Sequence, residues 1–292
     1  MVEIKIPDQV TIKAYAKVNL GLDIVGTRED GYHLVRMIMQ SLDLADIITI
    51  KKTDKAGVID VQDGLNLGKD NLIYKAADKV LAGTGVLDRY GVEIMMEKHI
   101  PVAAGMAGGS SDAAATLKGL NELFDLKLHD KELMEIGVKL GADVPYCIML
   151  GTALSEGIGE VLTRLPDIPR VTILIAKPPV SVSTQEAYRD FDSLKVVKHP
   201  DIDAQTDAIY KGDIREITAL CGNVLETVTA GKYPEIGQLE EIMEANGAIK
   251  AMMSGSGPTV FGVFEDVETA EAAKKKVDES GLALETYVVG AI

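Results

Sequence analysis

After Pro101 the chain reads Val-Ala-Ala-Gly-Met-Ala-Gly-Gly-Ser-Ser-Asp-Ala-Ala-Ala, and this stretch constrains the fold more than any other. Glycines among such small residues discourage a strand or helix from running through it, because glycine loses the most conformational freedom on ordering. From Ala113 the apolar positions 113, 117, 120 and 124 return at helical spacing, which predicts a glycine-rich loop opening into a helix. Such a loop has the physics of a phosphate cradle: glycine lets the backbone approach closely, and N–H groups at a helix N-terminus point at an anion. From His99 through Ser111 there is no Asp, Glu, Lys or Arg, so a triphosphate laid along it meets no carboxylate before Asp112. An ordinary Gly-Ser loop, with Ser110 or Ser111 capping the helix, accounts for the same residues.

Composition sets the classes to consider. A chain of 292 residues suits one or two domains, and at that length folding buries roughly 75% of the unfolded surface without help from disulfides or metals. With 47% hydrophobic and 26% charged residues it reads as soluble and globular. The formal net charge of −15 disfavours partners gripped by a broad basic surface, so neither nucleic acid nor a membrane is an expected partner. A small anionic ligand in a local pocket is not excluded, since steering depends on where charges sit. Cys147 and Cys221 stand far apart with no CxxC, so no zinc site or disulfide framework is expected and a reducing cytoplasm fits. The opening Met1-Val2-Glu3-Ile4-Lys5-Ile6-Pro7 lacks the apolar stretch of a signal peptide.

Periodicity predicts strands over 10–22, 47–50, 92–96, 171–176, 248–253, 258–264 and 283–289, and helices over 71–81, 113–124, 130–140, 183–190, 213–229, 234–245 and 266–279. The order strand, Gly-rich turn, strand, helix, strand near the C-terminus predicts an antiparallel sheet with helices on one face, hence an α+β protein. A boundary falls near 155–170, where Pro166 to Pro169 forms a connection.

Four further segments carry chemistry-bearing residues. In Ala16-Lys17-Val18-Asn19-Leu20, alternation puts Lys17 and Asn19 on one face of a strand; the plain reading is a solvated edge. Asp30-Gly31-Tyr32-His33 presents an aromatic ring beside an imidazole, fit for stacking on a base or for a surface turn. Gly141-Ala142-Asp143-Val144-Pro145-Tyr146 sets one carboxylate in an apolar stretch, where it serves as a general base or satisfies a backbone N–H. Ser254-Gly255-Ser256-Gly257-Pro258 stands between two strands and reads alone as a hairpin turn. Neither Gly68-Lys69 nor Gly231-Lys232 is followed by Ser or Thr, no His precedes Arg-Asp, and HExxH and GxSxG are absent. Walker-type, protein-kinase, metalloprotease and α/β-hydrolase readings therefore fall away.

Taken together and in this order, Ala16–Asn19, Asp30–His33, Pro101–Ala114, Gly141–Pro145 and Ser254–Pro258 resemble the GHMP kinase superfamily, over roughly 12 to 262. Leu is commoner than Met at 106 and Gly often stands at 107, departures that add no charge. The Asp-Gly-Tyr-His and Ala-Asp-Val-Pro segments resemble the members acting on cytidine diphosphate-linked methylerythritol in non-mevalonate isoprenoid synthesis. The resemblance implies a ribosomal-protein-S5-like ATP-binding domain over 1–160 and a ferredoxin-like C-terminal domain over 161–292. It implies ATP with Mg²⁺ as phosphoryl donor and no tightly bound organic cofactor. For catalysis it implies Asp143 as base, aided by Lys17, which keeps Asp143 ionised and stabilises the alkoxide. For ATP it implies Asn71 and Lys98 at adenine and Pro101, Val102, Ala103, Ala104, Gly105, Met106, Ala107, Gly108, Gly109, Ser110 and Ser111 at the phosphates, with Ser111 the metal-proximal hydroxyl. For the acceptor substrate it implies Asn19, Tyr32, His33, Ser181, Tyr188, Gly255, Ser256 and Gly257, with cytosine between Tyr32 and Tyr188. A homoserine- or mevalonate-type kinase, or a non-catalytic nucleotide-binding module, is the alternative. A monomer or weak homodimer is expected.

Overall fold

The Val- and Ile-rich opening of the chain forms strands much longer than its alternation predicts. The computed structural model describes residues 8–65, 67–194 and 196–292; the stretch read above for a leader lies outside them. In chain order the elements are β1 (Gln9–Thr27), β2 (His33–Thr53), β3 (Ile59–Gln62), a 3-10 turn (Gly68–Asp70), α1 (Leu72–Leu81), β4 (Gly91–Glu97), α2 (Gly108–Leu123), α3 (Asp130–Gly137), α4 (Val144–Met149), β5 (Thr152–Glu156) and β6 (Val161–Arg164). There follow β7 (Thr172–Lys177), α5 (Thr184–Phe191), α6 (Ile202–Lys211), α7 (Ile214–Ala219), β8 (Gly222–Asn223), α8 (Glu226–Lys232), α9 (Glu235–Ala245), β9 (Lys250–Met253), β10 (Val260–Phe264), α10 (Val267–Ser280) and β11 (Glu285–Gly290). The α+β class holds.

Packing groups the chain into two units, neither of them continuous. The first takes the chain up to Tyr15, Leu44–Ile100 and Ala107–Met149; the second takes Ala16–Asp43, Pro101–Met106 and Leu150–Ile292.

In the first unit the later half of β2 pairs antiparallel with β4, Ile47 opposite Glu97 through Thr53 opposite Gly91, and β4 pairs parallel with β3. Along 44–50 of β2 burial alternates, with Leu44, Asp46, Ile48 and Ile50 on the inner phase, the signature of a strand covered on one face. The α2 stripe Ala113, Leu117 and Leu120 is fully buried, as its spacing predicts. Its Gly119 lies where a Cβ would come within 2.7 Å of Ile50, so helix and strand meet too closely for any larger residue.

In the second unit the first half of β2 pairs with β5, β5 with β6, and β1 runs parallel to β8. A separate antiparallel sheet has the order β11-β7-β10-β9. Every residue of β7 and β10 is buried, so both faces of its centre are covered rather than one left to water. Helix α9 packs close against β10, since a Cβ on Gly262 would meet the Met243 sulfur at 2.9 Å.

Three departures from the predicted secondary structure have a plain physical cause. The predicted helix over 213–229 is divided by β8, because Gly222 and Asn223 pair with Gly21 and Leu22, and tertiary pairing overrides local propensity. Helix α6 was not predicted: its buried stripe includes Gln205, which interrupts the apolar period but donates to the carbonyls of Leu20 and Ile217. Helix α2 begins at Gly108, inside the glycines that read as loop.

Phe261 is fully buried at the middle of β10. Phe261→Ala is expected to lower stability by about 3–5 kcal/mol, measured by denaturant unfolding; a loss under about 1 kcal/mol would show that this sheet is not the core of its unit.

Candidate active site

Every residue of β1 from Ala16 to Ile24 is buried, on both faces of the strand. Lys17 is therefore 5% and Asn19 0% exposed, so the solvated-edge reading does not hold. A buried ammonium needs acceptors, and Lys17 Nζ donates to Asn19 Oδ1 at 2.7 Å and to the Gly105 carbonyl at 3.1 Å. Ser254 Oγ donates to the same carbonyl at 3.2 Å and accepts from the Asn19 N–H at 3.3 Å. Pro101–Met106 thus lies directly on the 254–257 turn. At Gly105 φ is +69°, and a Cβ there would stand 2.4 Å from the Ser254 carbonyl, so only glycine fits.

The turn itself is held from the segment around α8. Asn223 Nδ2 donates to the carbonyls of Met253 and Gly255 at 2.9 and 2.8 Å, Glu226 Oε2 accepts from the Met253 N–H at 2.8 Å, and Thr229 Oγ1 donates to the Ser256 carbonyl. Ser256 Oγ also lies 2.9 Å from Thr184 Oγ1. Burial pushes the Glu226 carboxyl above its usual range, and burial together with neighbouring Glu226 pushes Glu240 up to about 8.

In the first unit the decisive feature is the start of α2. Helices α5, α6, α7 and α10 are capped by the side chains of Ser183, Asp201, Asp213 and Asp266. At α2 the cap position is Ala107, held left-handed at φ 57°, and among the described residues no side chain caps the first turn. Ser111 Oγ donates instead to the Tyr15 carbonyl at 2.6 Å, so the reading of Ser110 or Ser111 as the cap does not hold. The first N–H groups of this helix have no intrahelical acceptor, and together with the helix dipole they favour an anion.

Beside this turn lies an ion network. Lys98 Nζ donates to Asp46 and, at 2.9 Å, to Asp112, and it lies 3.0 Å from where a Gly108 Cβ would stand. Asp46, fully buried, accepts from the N–H groups of His99 and Ile100 at 2.5 and 2.8 Å. Asp112 Oδ1 has no partner among the described residues. Burial drives the Asp112 carboxyl up to about 7, opposed by Lys98 and reinforced by Asp46. Asn71, read as an adenine contact, caps α1: its Oδ1 accepts from the Ile73 N–H at 2.8 Å and its Nδ2 donates to Asp63.

His33 Nε2 bonds Asp192 Oδ1 at 2.7 Å, and the Tyr188 ring lies against the imidazole at 4.7 Å, tilted 32°. Tyr32 is 61% exposed, and Ser181 lies exposed just before α5. Asp143 is half-buried immediately before α4, where its carbonyl accepts from the Cys147 N–H at 3.0 Å.

Sequence reasoning missed Asp46, Asp112, Asn223, Glu226 and Asp192. For Asp46 a signal existed, a carboxylate in phase with Leu44, Ile48 and Ile50. Nothing local marks Asn223 or Asp192, whose partners are distant in sequence. No helix among the described residues is long and apolar enough to cross a membrane.

Comparison with known proteins gives the same direction throughout. Residues 71–151 match the family model described as GHMP kinases N terminal domain, and 206–282 that described as GHMP kinases C terminal. A protein of Lachnospira eligens named 4-diphosphocytidyl-2-C-methyl-D-erythritol kinase is 50% identical over 282 residues, covering 96% of this chain and 97% of the relative. One of the same name from Clostridioides difficile (strain 630) is 47% identical over 273 residues, covering 92% of each. A solved 4-(cytidine 5'-diphospho)-2C-methyl-D-erythritol kinase superposes with a TM-score of 0.82 at 30% identity, covering 97% of this chain and 99% of that one. Homoserine kinase from Cytophaga hutchinsonii, at 20% identity, TM-score 0.79 and coverage of 100% and 97%, shares the fold.

The raised Asp112 carboxyl has a signed consequence. The folded state holds this proton more tightly than the unfolded one, so the contribution is present at low pH and is lost as pH rises to about 7. Unfolding free energies of wild type and Asp112→Asn, measured from pH 4 to 9, are expected to show the wild-type advantage shrinking up to about pH 7 and then levelling; an advantage growing with pH would contradict the assignment.

Proposed function

Because this chain belongs to the GHMP kinase family, we propose that it transfers the γ-phosphoryl group of ATP to the 2-hydroxyl of 4-diphosphocytidyl-2-C-methyl-D-erythritol, in non-mevalonate isoprenoid synthesis. What carries this reading is near-full-length likeness to relatives bearing that kinase's name. The hydroxyl oxygen forms the new bond to phosphorus, the bond from phosphorus to the ADP oxygen breaks, and the hydroxyl proton goes to Asp143. In such transfers the protein chiefly positions the reactants and stabilises charge. The donor arrives as its Mg²⁺ complex, the ion neutralising charge on the β- and γ-phosphates; no resident organic cofactor takes part.

The residues have distinct tasks. The uncapped first turn of α2 supplies the N–H groups of Gly108, Gly109 and Ser110 to phosphate oxygens, and the uncharged run from Pro101 to Ala107 continues the cradle. Ser111 is the hydroxyl assigned nearest the ion. Its proton is already directed to the Tyr15 carbonyl, so its oxygen keeps lone pairs for an acceptor role. Lys98 and Asn71 serve the nucleotide end. The Lys98 ammonium is fixed by two carboxylates, so it contributes from one position. Lys17, desolvated and fixed by Asn19 and Gly105, stabilises the developing alkoxide. Tyr32, His33 and Tyr188 receive the cytosine, and Asn19, Ser181, Gly255, Ser256 and Gly257 contact the rest of the acceptor.

Asp143→Asn preserves shape and removes the base. ADP release with ATP·Mg²⁺ and the cytidylated erythritol is expected to fall by at least about 10²-fold in kcat, whereas turnover near wild type would eliminate Asp143 as base. Homoserine and mevalonate serve as control acceptors. Comparable turnover on either, or ATP binding with no turnover on any acceptor, would overturn the proposed substrate.

A further inference from the structure

Helix α5 holds one imidazole at two points. Tyr188 and Asp192 are four residues apart, so their side chains lie on the same face of the helix. Tyr188 covers a face of the His33 ring, at 4.7 Å between centroids, while Asp192 takes one corner of its edge, at 2.7 Å from Nε2. The His33 side chain is 13% exposed and that of Asp192 is 56% exposed. The ring plane and one ring nitrogen are therefore both fixed.

An ionised carboxylate only accepts hydrogen bonds, so the hydrogen in this contact belongs to Nε2. A neutral imidazole has one donor and one acceptor, and the bond at one nitrogen fixes the role of the other. With Nε2 donating to Asp192, Nδ1 carries the lone pair.

The position of Asp192 adds a second argument. It stands at the C-cap of α5, where the helix dipole disfavours negative charge. Helix stability does not call for a carboxylate there; the hydrogen bond to His33 does.

We infer that Asp192 is a specificity-determining positioning residue: by holding Nε2–H of His33 it makes Nδ1 an obligatory acceptor, so the site selects a base edge that offers an amino hydrogen over one that offers a carbonyl oxygen. Cytosine presents an exocyclic amine where uracil presents an oxygen, and a lone pair facing that oxygen is repulsive. This inference rests on the cytidylated acceptor proposed above. A site built to meet an N–H discriminates against the analogue lacking it, because a polar group is left unpaired.

The test replaces the acceptor by other chemistry at an exposed position. Asp192→Glu keeps an acceptor, Asp192→Asn offers both an acceptor and a donor, and Asp192→Lys offers only donors and so forces Nε2 to accept. The readouts are the ratio of kcat/KM for the cytidine diphosphate-linked acceptor to that for its uridine analogue, and the ¹⁵N NMR tautomer of His33 in the free protein. Wild type is expected to favour cytidine by at least about tenfold, with Nε2–H as the tautomer. Asp192→Glu is expected to stay within about threefold of that ratio. Asp192→Asn is expected to lose part of it, and Asp192→Lys to lose it or reverse it with the proton moved to Nδ1. A general loss of packing would lower both substrates together and leave the ratio unchanged. An unchanged ratio in Asp192→Lys, or Nδ1–H in wild type, overturns the inference. Failure of wild type to phosphorylate the cytidylated acceptor would instead overturn the proposed function, while the tautomer measurement still decides the role of Asp192.

Discussion

A helix whose first turn lacks a side-chain cap must find acceptors for its leading N–H groups elsewhere, and α2 is such a helix. Ala107 at its cap has nothing to offer, and Ser111 spends its hydroxyl proton on Tyr15. The neighbouring parts of the first unit support this opening. Gly108 is small because Lys98 packs on it, Lys98 is fixed by Asp46 and Asp112, and Asp46 also ties down the backbone at His99 and Ile100. One strand residue thus holds both a charge and the entry to the loop.

The electrostatics are local. A chain with a net charge of −15 gains nothing from long-range attraction to a polyphosphate. It relies on backbone donors, on a lysine confined by two carboxylates beside α2, and on Lys17, whose buried ammonium donates to Asn19 and to the Gly105 carbonyl. Burial has a cost that appears at Asp112, whose carboxyl is driven up to about 7 with Asp46 adding to the shift and Lys98 opposing it. In the second unit the 254–257 turn depends similarly on polar side chains, the buried Asn223 and Thr229 and the half-buried Glu226, which satisfy its backbone groups.

What the sequence made legible follows period and glycine. Lys17 and Asn19 share a strand face because side chains alternate, and they do meet. The stripe 113, 117 and 120 is buried as its spacing requires. Three things were hidden for physical reasons. Strand β2 was legible only at 47–50 because Met37 to Leu42 is buried on both faces, which erases alternation. The start of α2 was hidden because its first turn is built from glycines chosen for close approach rather than for helix propensity. Asp192 and Asn223 take their roles from partners far along the chain, and no local pattern encodes a contact of that range.

The most direct measurement is the ¹H–¹⁵N spectrum and hydrogen exchange of the amides of Gly108, Gly109 and Ser110 as ATP·Mg²⁺ is added, with binding followed independently by calorimetry. The expected result is that these amides shift strongly and exchange more slowly as the nucleotide binds. Calorimetric binding that leaves all three amides unchanged would contradict it, because the nucleotide would then be held by something other than the open end of α2.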